Sequence, residues 1–161
     1  MAASLQPLFS AITFLLLIAS LIGPSEAAGI VRYWGRGHDE PSSLAEFCRQ
    51  EFATDVNIAF LEDFGGGRMP ELNISHPLPS ASDIESCQKH QTKVFISIAG
   101  QPSLSSVEDA EEVAAYVWNT YLGGKSSDRP FGKAVLDGVE LHIHSGNTTY
   151  LDDLARALKG Y

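Results

Sequence analysis

Nearly continuous apolar segments are the strongest pattern along the chain. Two of them, Val56–Leu61 (VNIAFL) and Lys93–Ala99 (KVFISIA), are typical of strands that are buried on both faces. The segments Gly29–Gly35 and Gly138–His144 predict two further strands. The chain therefore has four predicted strands.

Helical spacing of apolar residues separates these strands. It is clearest over Val107–Leu122, where acids crowd the first turns, as suits a helix dipole, and Gly123–Gly124 supplies the stop. The apolar stripe of this segment consists of Val113, Tyr116, Val117 and Tyr121. The other predicted helices are Leu44–Phe52, Asp83–His90 and Tyr150–Leu158.

This alternation of strands and helices predicts an α/β fold with parallel strands joined by right-handed crossovers. The pattern leaves two architectures open, an open doubly wound sheet and part of a closed barrel. No G-x-G-x-x-G follows the first strand, so dinucleotide binding has little support.

The last predicted strand carries the residues most able to do chemistry. Period-2 alternation places Val139, Leu141 and Ile143 on one face and Glu140, His142 and His144 on the other. Burying three ionisable groups without partners is costly, so they line a cavity or form a polar cluster. A hydrogen-bonded filling of a barrel interior, with no ligand, explains them equally well.

Two histidines at i and i+2 on a strand can also share a metal ion. The remaining histidines, His38, His76 and His90, lie in loop or helix-end contexts and offer no clear further ligand. No Ser-His-Asp order or cysteine nucleophile stands out. We therefore predict no metal site and no cofactor.

The first residues predict export from the cell. Residues 12–22 (ITFLLLIASLI) form an apolar core that is too short to span a bilayer, and Gly23–Pro24 breaks it. Small residues at Ser25 and Ala27 have the spacing of a cleavage site. We expect residues 1–27 to be a signal peptide and residues 28–161 a single secreted domain, although a buried helix or a signal anchor has the same pattern.

The mature chain is acidic. Cleavage after Ala27 removes one acid, Glu26, and leaves 19 acids, 11 bases and a net charge of −8. No basic cluster is present to attract nucleic acid or anionic lipid, and no later segment predicts a membrane span.

Two cysteines and two sequons fit an exported chain. Cys48 and Cys87 are the only cysteines, and in an oxidising compartment they indicate one disulfide, with two buried free thiols as the alternative. Asn73-Ile-Ser and Asn147-Thr-Thr are acceptor sequences for glycans.

Several motifs occur together in one order along residues 29–161. They are Tyr33-Trp-Gly35, Val56-Asn-Ile-Ala-Phe-Leu61, Trp118-Asn-Thr-Tyr-Leu-Gly-Gly124, Arg129-Pro-Phe-Gly132 and Val135-Leu-Asp-Gly138. In this order the chain resembles the plant class III (hevamine-type) chitinases of glycoside hydrolase family 18. The resemblance implies a TIM barrel with ligand sites at the carboxyl ends of its strands, of which about four strand–helix units, the N-terminal half, are present here. It also implies a Cys48–Cys87 pair and a ligand-lining role for Tyr33, Ser97 and Gly100.

The departures from that family concern catalysis. Active members carry D-x-x-D-x-D-x-E on the fourth strand, whereas here Asp137 matches the first acid, Glu140 and His142 replace the next two, and His144 stands at the position of the proton-donating Glu. The third strand has Ser97-Ile-Ala-Gly100 in place of S-x-G-G, which adds a methyl group to the sugar-binding floor. We therefore expect a protein that is not an enzyme.

The altered strand together with Arg129-Pro-Phe-Gly132 is similar to the xylanase inhibitor branch of the same family. The resemblance implies microbial xylanases or chitin-like glycans as partners and a location in the extracellular space, the apoplast of a plant. The alternatives are a non-catalytic carbohydrate-binding or storage protein and a truncated homologue with residual hydrolase activity. About four parallel strands leave sheet edges open, so we also expect self-association.

Overall fold

Four parallel strands and one short antiparallel strand form the sheet of this computed structural model, which describes residues 29–50, 54–100, 102–144 and 146–161. The parallel strands lie in the order β1-β2-β4-β5, and β3 pairs with the last two residues of β2. The strand bounds are β1 Val31–Trp34, β2 Asp55–Glu62, β3 Glu71–Leu72, β4 Lys93–Gly100 and β5 Gly138–Ile143.

Among the described residues, four helices connect or follow the strands, with bounds α1 Leu44–Arg49, α2 Ala81–Lys89, α3 Val107–Tyr121 and α4 Leu151–Lys159. Serine side chains cap three of them: Ser43 at α1, Ser80 at α2 in a capping box with Asp83, and Ser106 at α3. Within the described part of the chain, we find no helix that is both long and apolar enough to cross a membrane.

The predicted order of elements and the parallel pairing are confirmed, and the differences lie at the ends. The first strand is shorter than Gly29–Gly35, and the first helix ends at Arg49 rather than Phe52, which lies outside the described residues. The last strand ends at Ile143, so His144 is not part of it. No prediction covered β3, because two residues are too few for a period-2 pattern. The predicted signal peptide also lies outside the described residues.

The hydrophobic core lies between one face of the sheet and the helices. Ile58 of β2 and Ile96 of β4 are fully buried there, against Ile84 of α2 and Val113 of α3. Burial of each such side chain contributes about 1.5–3 kcal/mol.

A disulfide between Cys48 and Cys87 ties α1 to α2 on this side of the sheet. Its Cα atoms are 5.4 Å apart, and it closes a sequence separation of 39 residues. These two helices are therefore crosslinked covalently as well as packed.

The connection from α3 to β5 is organised by Arg129. Its guanidinium group donates hydrogen bonds to five backbone carbonyl groups on both sides of the connection. They belong to Asn119, Leu122, Gly124, Gly132 and Ala134. The planar fork of five N–H donors suits this role, because each N–H can reach a different carbonyl.

Candidate functional site

The face of the sheet opposite the helices carries the candidate site. On β5, Val139, Leu141 and Ile143 pack against the hydrophobic core, as predicted from the alternation. Glu140 pairs in register with Ser97, and His142 pairs with Ala99, so these residues share the opposite face. We call this the inner face.

A hydrogen-bonded cluster centres on the Glu140 carboxylate. The Tyr33 hydroxyl of β1 lies 3.2 Å from Glu140 Oε1 and 3.1 Å from His142 Nδ1. His142 Nδ1 is itself 3.3 Å from Glu140 Oε1, and the Ser97 hydroxyl of β4 donates a short hydrogen bond to Glu140 Oε2. The sheet thus brings together Tyr33, Ser97, Glu140 and His142, four residues singled out from the sequence. We call them the polar cluster.

The single hydrogen of the Tyr33 hydroxyl can serve either Glu140 or His142. Partial burial raises the pKa of Tyr33, and the negative charge of Glu140 raises it further. The phenol therefore stays protonated and acts as a donor to the carboxylate. His142 Nδ1 then meets two oxygen atoms, which suits a hydrogen on that nitrogen.

Aromatic rings surround His142 at the carboxyl ends of the strands. Phe60 stacks on His142 with ring centroids 5.4 Å apart, and Tyr33 lies 5.8 Å from Phe60. His144 meets His142 edge-on at 4.1 Å. These rings form a partly exposed aromatic surface beside the carboxylate.

Sequence reasoning missed Phe60 as a site residue. The pairing of β2 with β4 shifts between Ala59 and Leu61, and this bulge turns Phe60 towards Tyr33 and His142. Strict alternation assigns faces only where the ladder is regular, so nothing in the pattern of VNIAFL pointed to this position.

Two of the predicted site residues lie apart from the polar cluster. Asp137 precedes β5, at the opposite end of the strand from His142, where its carboxylate accepts hydrogen bonds from Val94 N at 2.8 Å and Gln88 Nε2 at 3.0 Å. There it joins β4, α2 and β5, away from the polar cluster. Gly100 ends β4, and a side chain added to it meets open space.

Asp109 is a second residue that the sequence did not reveal. Its carboxylate accepts hydrogen bonds from Gly66 N at 2.7 Å and from Ser105 N at 2.8 Å, which ties the loop after β2 to the loop after β4. Gly65 has a positive φ of 89°, and an added Cβ would lie 2.6 Å from Leu104 N. The glycine run and this acid therefore act as one unit at the carboxyl edge.

A cavity of about 410 Å³ continues from the polar cluster towards the amino ends of the strands. Glu140 lines both the cavity and the cluster, and Val31, Asp55, Asn57 and Phe95 complete much of the wall. In the part of the chain that the structure describes, no three His, Cys, Asp or Glu side chains are arranged to hold a metal ion. The arrangement instead offers hydrogen bonds and aromatic surface.

Comparison with known proteins relates this chain to plant chitinases. It is 47% identical over 163 residues to an acidic endochitinase of Phaseolus angularis, covering 94% of this chain and 54% of the relative. It is 45% identical over 156 residues to an acidic endochitinase of Cucumis sativus, covering 90% of this chain and 53% of the relative. The chain spans about half the length of these curated relatives. No protein-family model matches it.

Solved structures give a consistent result. A chitinase from Ipomoea carnea superimposes with a TM-score of 0.74 at 38% identity, covering 81% of this chain and 52% of that one. A xylanase and alpha-amylase inhibitor protein from Scadoxus multiflorus gives 0.71 at 36% identity, covering 83% and 52%. A tamarind chitinase-like lectin gives 0.67 at 26% identity, covering 83% and 53%. The chain is thus similar, over about half of their length, to plant chitinases and to chitinase-like proteins that bear other names.

Proposed function

We propose that this chain is a secreted, catalytically inactive protein of glycoside hydrolase family 18, of the xylanase-inhibitor type, that acts in defence against microbial cell-wall-degrading enzymes. Its described residues would form the N-terminal half of the family's barrel. The proposal rests on which residue types occupy the end of β5 and the position just after it. His142 on the inner face, and His144 just after the end of the strand, occupy positions that the resemblance assigns to acids.

Hydrolysis in this family would need those acids. A carboxylic acid protonates the glycosidic oxygen and then acts as the base for water, while a neighbouring carboxylate supports the substrate's acetamide as nucleophile. A histidine at position 144 can donate a proton, but as an imidazolium it opposes the positive charge that develops on the sugar. The imidazole of His142 cannot replace the electrostatic role of a carboxylate.

Glu140 is the one carboxylate of the polar cluster, and it is already engaged. One oxygen lies within hydrogen-bonding distance of Tyr33 and near His142, and the other accepts from Ser97. Both oxygens are thus occupied by contacts within the polar cluster. Glu140 therefore supports the inner face rather than a proton transfer to substrate.

The test is turnover of chitin oligomers by the purified chain between about pH 4 and pH 8. Loss of a positioned general acid costs about 10²–10⁴-fold in rate, and the electrostatic partner is changed as well, so we expect no detectable product. Measurable hydrolysis that His144→Ala abolishes would overturn the proposal. An unaffected His38→Ala variant is the matched control for nonspecific loss.

Inhibition of microbial xylanases is the specific activity that we propose. Its support is the likeness to the Scadoxus multiflorus inhibitor protein, together with the altered acids at β5. The measurement is residual xylanase activity against increasing amounts of the secreted chain. Saturable inhibition is the expected result, and unchanged activity with a folded chain contradicts it.

Carbohydrate binding without catalysis is the second candidate. Tyr33 and Phe60 place aromatic rings beside the hydroxyl groups and carboxylate of the polar cluster, a combination that fits a sugar ring with its apolar face and hydroxyls. Retention on chitin that Tyr33→Ala removes, without xylanase inhibition, would favour this function over the first.

The open edges of the sheet support a further part of the proposal. Within the described residues, β1 and β5 are the outer strands, and Val31 is 49% exposed. Unpaired strand edges promote association, so we propose that residues 28–161 self-associate when isolated. A monodisperse monomer with a sharp two-state melt in analytical ultracentrifugation and thermal unfolding would contradict this.

A further inference from the structure

The two glycan acceptor sequences have different surroundings in the fold. Asn147 lies exposed in the connection between β5 and α4, and its Oδ1 accepts a hydrogen bond from Thr149 N at 2.9 Å. Asn73 is also exposed, but it lies directly after β3 and pairs with β2. Exposure alone therefore does not separate the two sites.

At Asn147 the side-chain amide is held by its own acceptor triplet. The hydrogen bond to Thr149 spans two residues and forms a compact turn around Thr148. It occupies the amide oxygen and leaves Nδ2 without a hydrogen-bond acceptor among the residues that the structure describes. The nitrogen that would carry a glycan is thus presented on the outside of the turn.

At Asn73 the same nitrogen is engaged elsewhere. Nδ2 donates to Glu62 Oε2 at 2.8 Å, and Glu62 is held in turn by Arg36 at 3.5 Å. The backbone N–H and carbonyl of Asn73 both pair with Phe60, at 2.8 and 3.2 Å. Once β2 and β3 have paired, Asn73 is part of a ladder and cannot adopt the turn seen at Asn147.

We propose that Asn147, and not Asn73, is the site of N-glycosylation in this protein. The co-reactant is a lipid diphosphate-linked oligosaccharide in the secretory pathway. Asn147 Nδ2 forms a bond to the first sugar carbon, the bond from that carbon to the diphosphate oxygen breaks, and Nδ2 gives up one proton. The inference rests on the export proposed above.

The order of folding events favours the same site. The turn at Asn147 involves residues two apart, so it forms without any other part of the fold. The hydrogen bond that engages the side-chain nitrogen of Asn73 joins it to Glu62, 11 residues earlier in the β2–β3 hairpin. It is complete when that hairpin has formed. Asn147 stays accessible throughout, whereas Asn73 is accessible only before the hairpin closes.

A glycan at this position has a consequence for the surface. Asn147 comes three residues after His144, at the carboxyl end of the outer strand β5. A glycan there would place a bulky hydrophilic group close to the exposed edge of β5.

The experiment compares variants of the full chain that are secreted by a eukaryotic host. Intact mass is measured before and after treatment with peptide N-glycosidase. Asn73→Gln should keep the full glycan mass, whereas Asn147→Gln and Thr149→Ala should each lose it. A glycan that persists in Asn147→Gln and disappears in Asn73→Gln overturns the proposal, as does equal occupancy of both sites.

A second set of proteins separates this proposal from that of export. In these, residues 1–27 are replaced by the signal peptide of an established secreted protein. If only this replacement yields secreted chain, the export proposal fails, and the glycan at Asn147 is still tested. If the replaced chain reaches the medium without a glycan, the proposal for Asn147 fails regardless of the native N-terminus.

Discussion

The two faces of the sheet differ in what holds them. On the helix-covered face, Ile58 and Ile96 are fully buried, and a disulfide crosslinks α1 and α2 above them. On the inner face, Tyr33, Glu140 and His142 are held by hydrogen bonds and remain partly exposed. Neighbouring residues of one strand thus contact the packed core on one side and the polar cluster on the other, and substitutions should separate the two contributions to stability.

One of the two largest effects is expected from removal of the disulfide. Replacing both Cys48 and Cys87 by alanine opens a loop of 39 residues, and the chain-entropy argument gives a loss of about 4 kcal/mol in unfolding free energy. Urea unfolding followed by circular dichroism measures it. Full stability in the double variant would show that packing alone holds the helix-covered face.

The next effect compares adjacent residues on opposite faces of β4. Ile96→Ala removes a fully buried side chain from the core and should cost about 2–5 kcal/mol. Ser97→Ala removes one hydrogen bond to Glu140 and should cost about 1 kcal/mol. Urea midpoints of the two variants test this, and equal losses would mean that the inner face carries as much stability as the core.

A pH-dependent contribution is expected from Asp109. Burial raises the pKa of this carboxyl, but hydrogen bonds from the N–H groups of Ser105 and Gly66 outweigh it and lower the pKa below its ordinary value. The folded pKa is depressed, so the stabilisation is present above that ordinary value and is lost as the pH falls through the folded pKa.

Asp109→Ala should therefore destabilise the chain by about 1–3 kcal/mol at neutral pH and by less in strong acid. Unfolding curves recorded at neutral pH and at a pH below the folded pKa of Asp109 measure how the loss of unfolding free energy changes. Glu111→Gln on the exposed side of α3 is the control, and a loss that does not change with pH would contradict the assigned role of the carboxylate.

The smallest effect concerns the polar cluster itself. Partial burial raises the pKa of Tyr33, and the charge of Glu140 raises it further, so Glu140→Gln should lower this pKa, with little change in stability. Ultraviolet titration of phenolate reports the change, and subtraction of the same titration in Tyr33→Phe isolates this residue from the other four tyrosines. An unchanged titration would show that the two groups do not interact in solution.

Much of the architecture could be predicted from the sequence, because apolar alternation reports directly on burial. The alternation of Val139, Leu141 and Ile143 with Glu140 and His142 located both faces of β5. The same reasoning did not place Asp137, since the residue before a strand has no face that a period can assign.

Features that depend on irregular geometry were not predictable. Phe60 reaches the site through a bulge in the pairing of β2. Asp109 acts on Gly66, which lies 43 residues away, and the hydrogen bond between them follows from the approach of two loops. An acid in the first turn of a helix is already explained by the helix dipole. Nothing in the sequence therefore required a second role for Asp109.

The contacts of Arg129 limit which residues can replace it. One guanidinium group holds together the two ends of the connection from α3 to β5. Arg129 donates hydrogen bonds to the carbonyl group of Leu122, earlier in the chain, and to that of Ala134, later in the chain. A lysine carries the same charge but has three donors on one atom, so it cannot bridge both sides. The arrival of β5 beside β4, and with it the position of Glu140 and His142, thus depends on the shape of a distant side chain more than on its charge.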